Sequence, residues 1–296
     1  MELTEYLKPK IKGKRKFRLA VACAADHDVL SAVFMALNEK DIEATLVGDQ
    51  MIIESLIYKY KYDINLCEII DEKDNIKACE VAVRLVSEHK ADFLMKGLVD
   101  TSILLKAVLN KEWGLRTGNV LSHVAIFSLN HEERIYAITD GAMNIAPNLD
   151  QKRQIIENAI DLMHRLGKDV VNVACLAAVE KVNPKMEATL DALALSEMKW
   201  DDAFVDGPFA LDNAVSVEAA KHKGIQNDQA GKADVLFVPD IEAGNILYKA
   251  VSFLAHASVA ACIAGASAPI VLTSRADSDQ SKYNSILMAL ALIKEI

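Results

Sequence analysis

The sequence lacks the usual marks of several large enzyme classes. No Gly-x-Gly-x-x-Gly run is present, and Gly224 to Lys232 has the wrong spacing and no Ser or Thr for a phosphate-binding P-loop. Gly265-Ala266-Ser267-Ala268-Pro269 lacks the second glycine of a nucleophile elbow. A nucleotide-dependent dehydrogenase, an ATPase and a serine hydrolase are each left without their sign. There is no Cys-x-x-Cys pair and no His-Glu-x-x-His helix, so a structural or catalytic zinc site has no support and no metal ligand is assigned. Positive charge is also short: 33 Lys and Arg stand against 42 Asp and Glu, a formal net charge of −9. Nucleic acid and anionic membranes reward a basic surface, so neither is expected as a partner. A small anionic substrate is still allowed, because a few local cations set a pocket. The five cysteines, Cys23, Cys67, Cys79, Cys175 and Cys262, are odd in number and mostly sit in apolar runs, which reads as reduced core residues of a cytoplasmic protein. Met1 to Lys16 is lysine-rich without a continuous apolar core, unlike a secretory signal. Ala250 to Ser274 holds no Asp, Glu, Lys or Arg and is long enough to span a bilayer. Its His256, serines, Gly265, Pro269 and many alanines fit two buried strands joined by a small-residue loop better than a membrane span.

What is present is an ordinary globular composition, 52% hydrophobic and 25% charged over 296 residues, enough for two domains or one large one. Apolar strand-like runs alternate with helical periodicity. Phe17 to Cys23 reads as a strand, followed by a helix capped by Asp26 and running to Lys40. Strands at Glu43 to Gly48 and Leu66 to Ile70 follow, with helices from Gln50 to about Tyr60 and from Lys73 to His89, the latter carrying Ile76, Cys79, Val83 and Val86 on its inner face. This alternation predicts βαβ units and a mostly parallel sheet covered on both faces. Leu121 to Leu129 and Arg134 to Thr139 flank the polar turn Asn130-His131-Glu132-Glu133 and suit a hairpin, taken here to open a second domain. Helices at Asp150 to Leu166, Pro184 to Met198 and Asn213 to His222, with strands at Val170 to Leu176 and around Phe204-Val205, continue the pattern.

Three loops carry chemistry. Ala91 to Lys96 is a strand ending in a lysine beside Gly97, ahead of a capped helix that holds Lys106. A lysine leaving a strand end is well placed to meet a phosphate, although a surface lysine in an ordinary loop has the same sequence. Asp234 to Val238 is a strand leading into Pro239-Asp240 and Gly244-Asn245, and it echoes the first loop. Ile270 to Leu272 runs into Thr273-Ser274-Arg275-Ala276-Asp277-Ser278-Asp279, then a helix with Tyr283, Ile286, Leu287, Leu290 and Ile293 at helical spacing. A strand end meeting a helix start is where open α/β sheets place their ligands, and Ser274 and Arg275 there suit an anion. Caps for the last helix and a solvated arginine are the plainer alternative.

Taken together, Lys96-Gly97-Leu98-Val99-Asp100-Thr101, Ile138-Thr139-Asp140-Gly141, Phe237-Val238-Pro239-Asp240 with Gly244-Asn245 and Tyr248-Lys249, and Thr273-Ser274-Arg275 resemble the phosphate acetyltransferase and phosphate butyryltransferase family, over nearly the whole chain and in order. The resemblance implies reversible transfer of a short acyl group between coenzyme A and inorganic phosphate. Acyl-CoA would be a substrate, with no bound cofactor. It implies two α/β domains with mostly parallel sheets around a central cleft, on a scaffold like that of isocitrate and isopropylmalate dehydrogenases. The first domain would be residues 1–120 plus 261–296, the last strand and helix returning to it, and the second 121–260. A homodimer or higher homo-oligomer is also implied. Ser274, Arg275 and Asp277 would be catalytic. Lys96, Gly97, Thr101, Lys106, Asp140, Asp240, Gly244, Asn245 and Lys249 would bind substrate. The acetyltransferase pattern continues Ser-Arg with Gly-Cys and has an aspartate seven residues after the serine, where this chain has Ser281. Ser274-Arg275-Ala276-Asp277-Ser278 is nearer the butyryltransferase branch, leaving Asp277 or Asp279 to supply the carboxylate. Lys106 stands where the acetyltransferases use an arginine.

The expected reaction is direct attack of the thiol on the acyl phosphate carbonyl in a ternary complex, with Arg275 holding phosphate bidentately and Ser274 donating to the developing oxyanion. Two other readings use the same scaffold. One is a metal-dependent dehydrogenase recruiting Asp140 and Asp240; the other is a small-molecule sensor without turnover.

Overall fold

Short polar side chains fix where several helices of this chain begin. In the computed structural model, which describes residues 1–129 and 132–293, Asp26 accepts a hydrogen bond from the Val29 amide, Asp49 from Met51 and Ile52, and Asp74 from Ile76 and Lys77. Each carboxylate takes up amides that the first helical turn leaves without intrahelical partners. The chain runs through α1 (Leu3–Ile11), β1 (Phe17–Ala22), α2 (His27–Asn38), β2 (Ile42–Gly48), α3 (Gln50–Tyr60), β3 (Cys67–Asp71), α4 (Asn75–Ser87), β4 (Phe93–Lys96) and α5 (Thr101–Val108). It continues through β5 (Ser122–Ser128), β6 (Ile135–Thr139), α6 (Leu149–Arg165), β7 (Val171–Leu176), α7 (Glu187–Ser196), β8 (Ala203–Phe209), α8 (Leu211–Val215), α9 (Val217–His222), β9 (Val235–Phe237) and α10 (Ile241–Lys249). β10 (Ser258–Ala264), β11 (Ile270–Val271) and α11 (Asp279–Leu292) complete it.

Two compact units share these elements, one made of Leu3–Asn119 with Ala260–Ile296 and the other of Met1–Glu2 with Val120–Val259. In the first, strands lie in the order β3-β2-β1-β4-β11-β10, parallel except where β10 meets β11 through Cys262↔Val271 and Ile263↔Ile270. In the second the order is β5-β6-β9-β7-β8, with only the β5–β6 hairpin antiparallel. The fold is therefore mixed α/β with mostly parallel strands. β1, β4 and β6 are buried almost throughout, as strands covered on both faces must be. No helix of the described residues is long and apolar enough to cross a membrane.

Several elements differ from expectation. α1 forms within the lysine-rich N-terminal stretch, where Leu3 and Leu7, four residues apart, are both buried. The helix expected from Asn213 to His222 is broken at Ser216, whose backbone is extended (φ −122°, ψ 114°) and whose hydroxyl instead caps α9. Ile76, expected on the inner face of α4, is 64% exposed because it lies in the first turn. α11 is not one-sided: every residue from Lys282 to Leu292 is buried. Of the expected hairpin turn, Asn130 and His131 lie outside the described residues, as do residues 294–296.

Candidate functional site

The register of three parallel strands gathers the first set of residues. β4 pairs with β1 through Ala22↔Lys96 and with β11 through Val271↔Met95, so the carboxyl ends of β1, β4 and β11 lie side by side. The segments leaving them share one edge, the place where open parallel sheets bind ligands. Gly97 is packed onto the end of β1. A Cβ there would lie 2.2 Å from the Cys23 carbonyl oxygen, which leaves room for glycine alone. Its amide and that of Leu98 donate to Ala22 O and Cys23 O, both at 2.8 Å.

Lys96 is buried, and its Nζ donates to the carbonyls of Gly97 and Val99, each at 3.1 Å. Burial pulls its pKa below the ordinary lysine value. The nearby charges of Arg275 and Lys282 push it the same way, while Asp100 and Cys23 oppose them. Across the edge, Ser274 opens a tight turn. Asp277, itself buried, accepts the Ser274 amide at 2.7 Å and returns its own amide to Ser274 O at 3.2 Å. The Ser274 hydroxyl accepts from the Ala276 amide at 3.3 Å. Asp279 faces away, toward the Ser31 hydroxyl at 2.9 Å. The two candidate carboxylates are thus separated by geometry, with only Asp277 tied to the serine.

Arg275 is exposed, and its guanidinium is paired with Asp100 at 2.8 Å. Asp100 flanks α5, whose first residue is Thr101, and its side chain makes no cap hydrogen bond. Lys96, Gly97, Thr273, Ser274 and Arg275 line one hollow of about 30 Å³ together with Asp26, Val29, Leu98 and Lys282. That volume is room for roughly one water. Lys282 was missed from the sequence: it is eight residues past Ser274, inside a helix, with nothing local to mark it as facing the turn. It is only 3% exposed, and its Nζ donates to the Asp277 carbonyl.

Lys106 lies on another face of α5. It borders a hollow of about 340 Å³ with Ile76, Ile103, Ala107 and Trp113. A larger hollow, about 580 Å³, opens beside Lys12, Lys16 and Lys40 near the start of β1, at the opposite strand ends. Lys12, Lys16 and Lys40 there are exposed, whereas the small hollow is lined by the buried Lys96 and Lys282.

The second set of residues lies in the other unit. Asp140 is 3% exposed, and its two carboxylate oxygens accept from the amides of Ala142, Met143 and Asn144 and from the Asn144 side chain, at 2.6–3.2 Å. Gly244 packs against this loop, where a Cβ would lie 2.5 Å from Asp140 O, and Asn245 Nδ2 donates to Gly141 O at 3.1 Å. Asp240 caps α10 by accepting from Ala243 at 2.8 Å. Asp140, Gly141, Gly244 and Asn245 thus form one loop pair. Lys249 stands a turn beyond, over the rings of Tyr248 and Phe253. Among the described residues, no three His, Cys, Asp or Glu side chains gather into a set suited to a metal ion.

Residues 72–290 match the family described as phosphate acetyl/butaryl transferase. A probable phosphate butyryltransferase of Bacillus subtilis is 48% identical over 281 residues, 94% of this chain and 93% of that one. A phosphate acetyltransferase of Thermotoga maritima is 44% identical over 293 residues, 96% and 98% of the two chains. The crystal structure of a branched-chain phosphotransacylase from Enterococcus faecalis superposes with a TM-score of 0.84 at 33% identity, covering 93% of this chain and 98% of that one.

Proposed function

The chain belongs to the phosphate acetyl/butaryl transferase family, and from that premise we propose that it moves a short acyl group, butyryl or similar, between coenzyme A and inorganic phosphate at the edge where β1, β4 and β11 end. The observation that carries this reading is the convergence of Lys96, Ser274 and Arg275 on one hollow. Coenzyme A enters as a substrate, and no bound cofactor takes part.

In this mechanism the thiol sulfur attacks the acyl carbonyl carbon, the bond from that carbon to the phosphate oxygen breaks, and the thiol proton ends on the departing phosphate. The hollow is too small to enclose phosphate, so the anion rests at its mouth above Lys96. Arg275 exchanges Asp100 for phosphate, a gain because two parallel hydrogen bonds to a dianion replace one exposed ion pair. The Ser274 hydroxyl donates to the carbonyl oxygen as it becomes negative. Asp277 holds the serine in place through its amide. A thiol of pKa about 8.5 is already a few per cent ionised at pH 7, so complete deprotonation adds at most roughly 30-fold, about 2 kcal/mol. Positioning and charge stabilisation therefore carry most of the rate.

Gly97 and Thr101 complete the phosphate side of this reading. Lys106, a cation beside the apolar surface of Ile76, Ile103 and Trp113, offers the mixed chemistry that a coenzyme A molecule presents. Asp140, Gly244 and Asn245 act through the loop pair they lock, with Asp240 and Lys249 at the two ends of α10. The same reading divides the chain into α/β domains at 1–120 plus 261–296 and at 121–260. It makes the protein a cytoplasmic homodimer or higher homo-oligomer, which light scattering would test. The deciding experiment is phosphate-dependent thiol release from acetyl-, propionyl- and butyryl-CoA. Release fastest from butyryl-CoA is expected, and no release from any of the three would overturn the proposal.

A further inference from the structure

Three lysines are buried among the described residues, namely Lys96, Lys152 and Lys282. Lys152 has the usual solution for a buried charge, a carboxylate, with Asp191 at 2.5 Å. Lys96 and Lys282 do not. The hydrogen bonds of Lys96 go to the carbonyls of Gly97 and Val99, and that of Lys282 goes to the carbonyl of Asp277. Among the described residues, neither is ion-paired with a carboxylate. Carbonyl dipoles satisfy N–H groups but leave the net charge standing, and a buried charge without a counter-charge is costly. Both lysines line the same small hollow, and the Lys282 charge acts on Lys96. Two cations held together at low exposure, neither in a salt bridge with a carboxylate among the described residues and with Asp26 and Asp100 as neighbours only, suit an external anion.

We propose that Lys282 is a phosphate-binding residue, which with Lys96 forms a buried dication beneath inorganic phosphate. The assignment deepens the transferase reading and rests on it for the identity of the anion. It also orders the cations by task. Lys96 and Lys282 are fixed before binding by the carbonyls of their own loops, and Arg275 arrives from Asp100 to close over the bound ion. The Lys282 bond to the Asp277 carbonyl has a second effect, since it ties the charge to the turn that presents Ser274. A purely structural role for Lys282 would be limited to that tie.

Binding without turnover separates these roles. The melting temperature of the wild type, followed as inorganic phosphate is raised, should climb by several degrees and saturate. Lys282→Met should abolish most of that rise while melting, without phosphate, at or above the wild-type temperature, because a buried uncompensated charge has been removed. Lys282→Arg should keep a partial response. In initial-rate kinetics Lys282→Met should raise KM for phosphate by ~10²-fold and change KM for acyl-CoA by less than about threefold. A variant that melts lower but keeps the wild-type phosphate response and phosphate KM would overturn the assignment and leave Lys282 as a structural tie. Should no acyl-CoA be turned over by any form while phosphate still protects the wild type and not Lys282→Met, the anion site stands and the transferase reading falls.

Discussion

Lys152 and Lys96 are buried to a similar degree and differ in what surrounds them. In one unit Lys152 meets Asp191, just as the Asp140 carboxylate in that unit meets four N–H donors of its own loop. In the other, Lys96 and Lys282 donate to carbonyls, and among the described residues neither is in a salt bridge with a carboxylate. The first arrangement is complete without a ligand and serves to hold chain segments together. On the proposed reading the second is completed by a bound anion, such as the phosphate of the proposed reaction. Polar residues with the same burial can therefore be sorted into scaffold and site by asking whether the protein supplies the opposite charge.

The largest effect that would break this contrast is at Arg275. Lysine keeps the charge but not the planar fork, so Arg275→Lys is expected to lose roughly 10²–10⁴-fold in kcat/KM for phosphate, the loss of one or two charge-assisted bonds of about 1.5–3 kcal/mol each. The apparent affinity for coenzyme A should move far less, and near-normal phosphate kinetics would place the anion elsewhere. Next is the scaffold pair. Asp191→Asn strands the Lys152 ammonium and should cost about 3 kcal/mol in denaturant unfolding. Lys96→Met, measured without phosphate, should cost little or nothing. Equal losses would erase the distinction. Ser274→Ala should lower kcat by ~10²-fold with folding unchanged, in keeping with a single oxyanion donor. Complete loss in that variant, with an acyl-enzyme trapped in the wild type, would replace direct transfer with a covalent route.

The smallest effect is one of pH. Burial, with Arg275 and Lys282 behind it, places the Lys96 pKa below its ordinary 10.5 in the folded chain. Between that lowered value and 10.5 the unfolded chain holds the extra proton, so stability rises with pH through this window. Phosphate binds the charged form, so its affinity falls over the same range. Both slopes should flatten in Lys96→Met, and an unchanged stability slope would remove Lys96 as their source.

Much of this was legible in the sequence because the information is local. A strand end, a glycine and a capping carboxylate lie within a few residues of one another, which is why Lys96-Gly97, Ser274-Arg275 and the caps at Asp26 and Asp49 could be placed. What escaped depended on distant contacts. The α1 helix has only Leu3 and Leu7 fully buried, too few for a periodic signal amid lysines. Ser216 breaks a helix because its hydroxyl caps the next one, an exchange that apolar spacing does not register. Nothing local marks Lys282 as buried, because only the packing of α11 around its circumference makes it so. The commitment of Arg275 to Asp100 joins residues 175 positions apart, and no local pattern announces it.

The most direct test of the central claim is the phosphate dependence of thiol release from butyryl-CoA in Lys96→Met, set beside the wild type. The account predicts a KM for phosphate raised by ~10²-fold or more, with the KM for butyryl-CoA within about threefold of normal. An unchanged phosphate KM in Lys96→Met, with full activity, would contradict it.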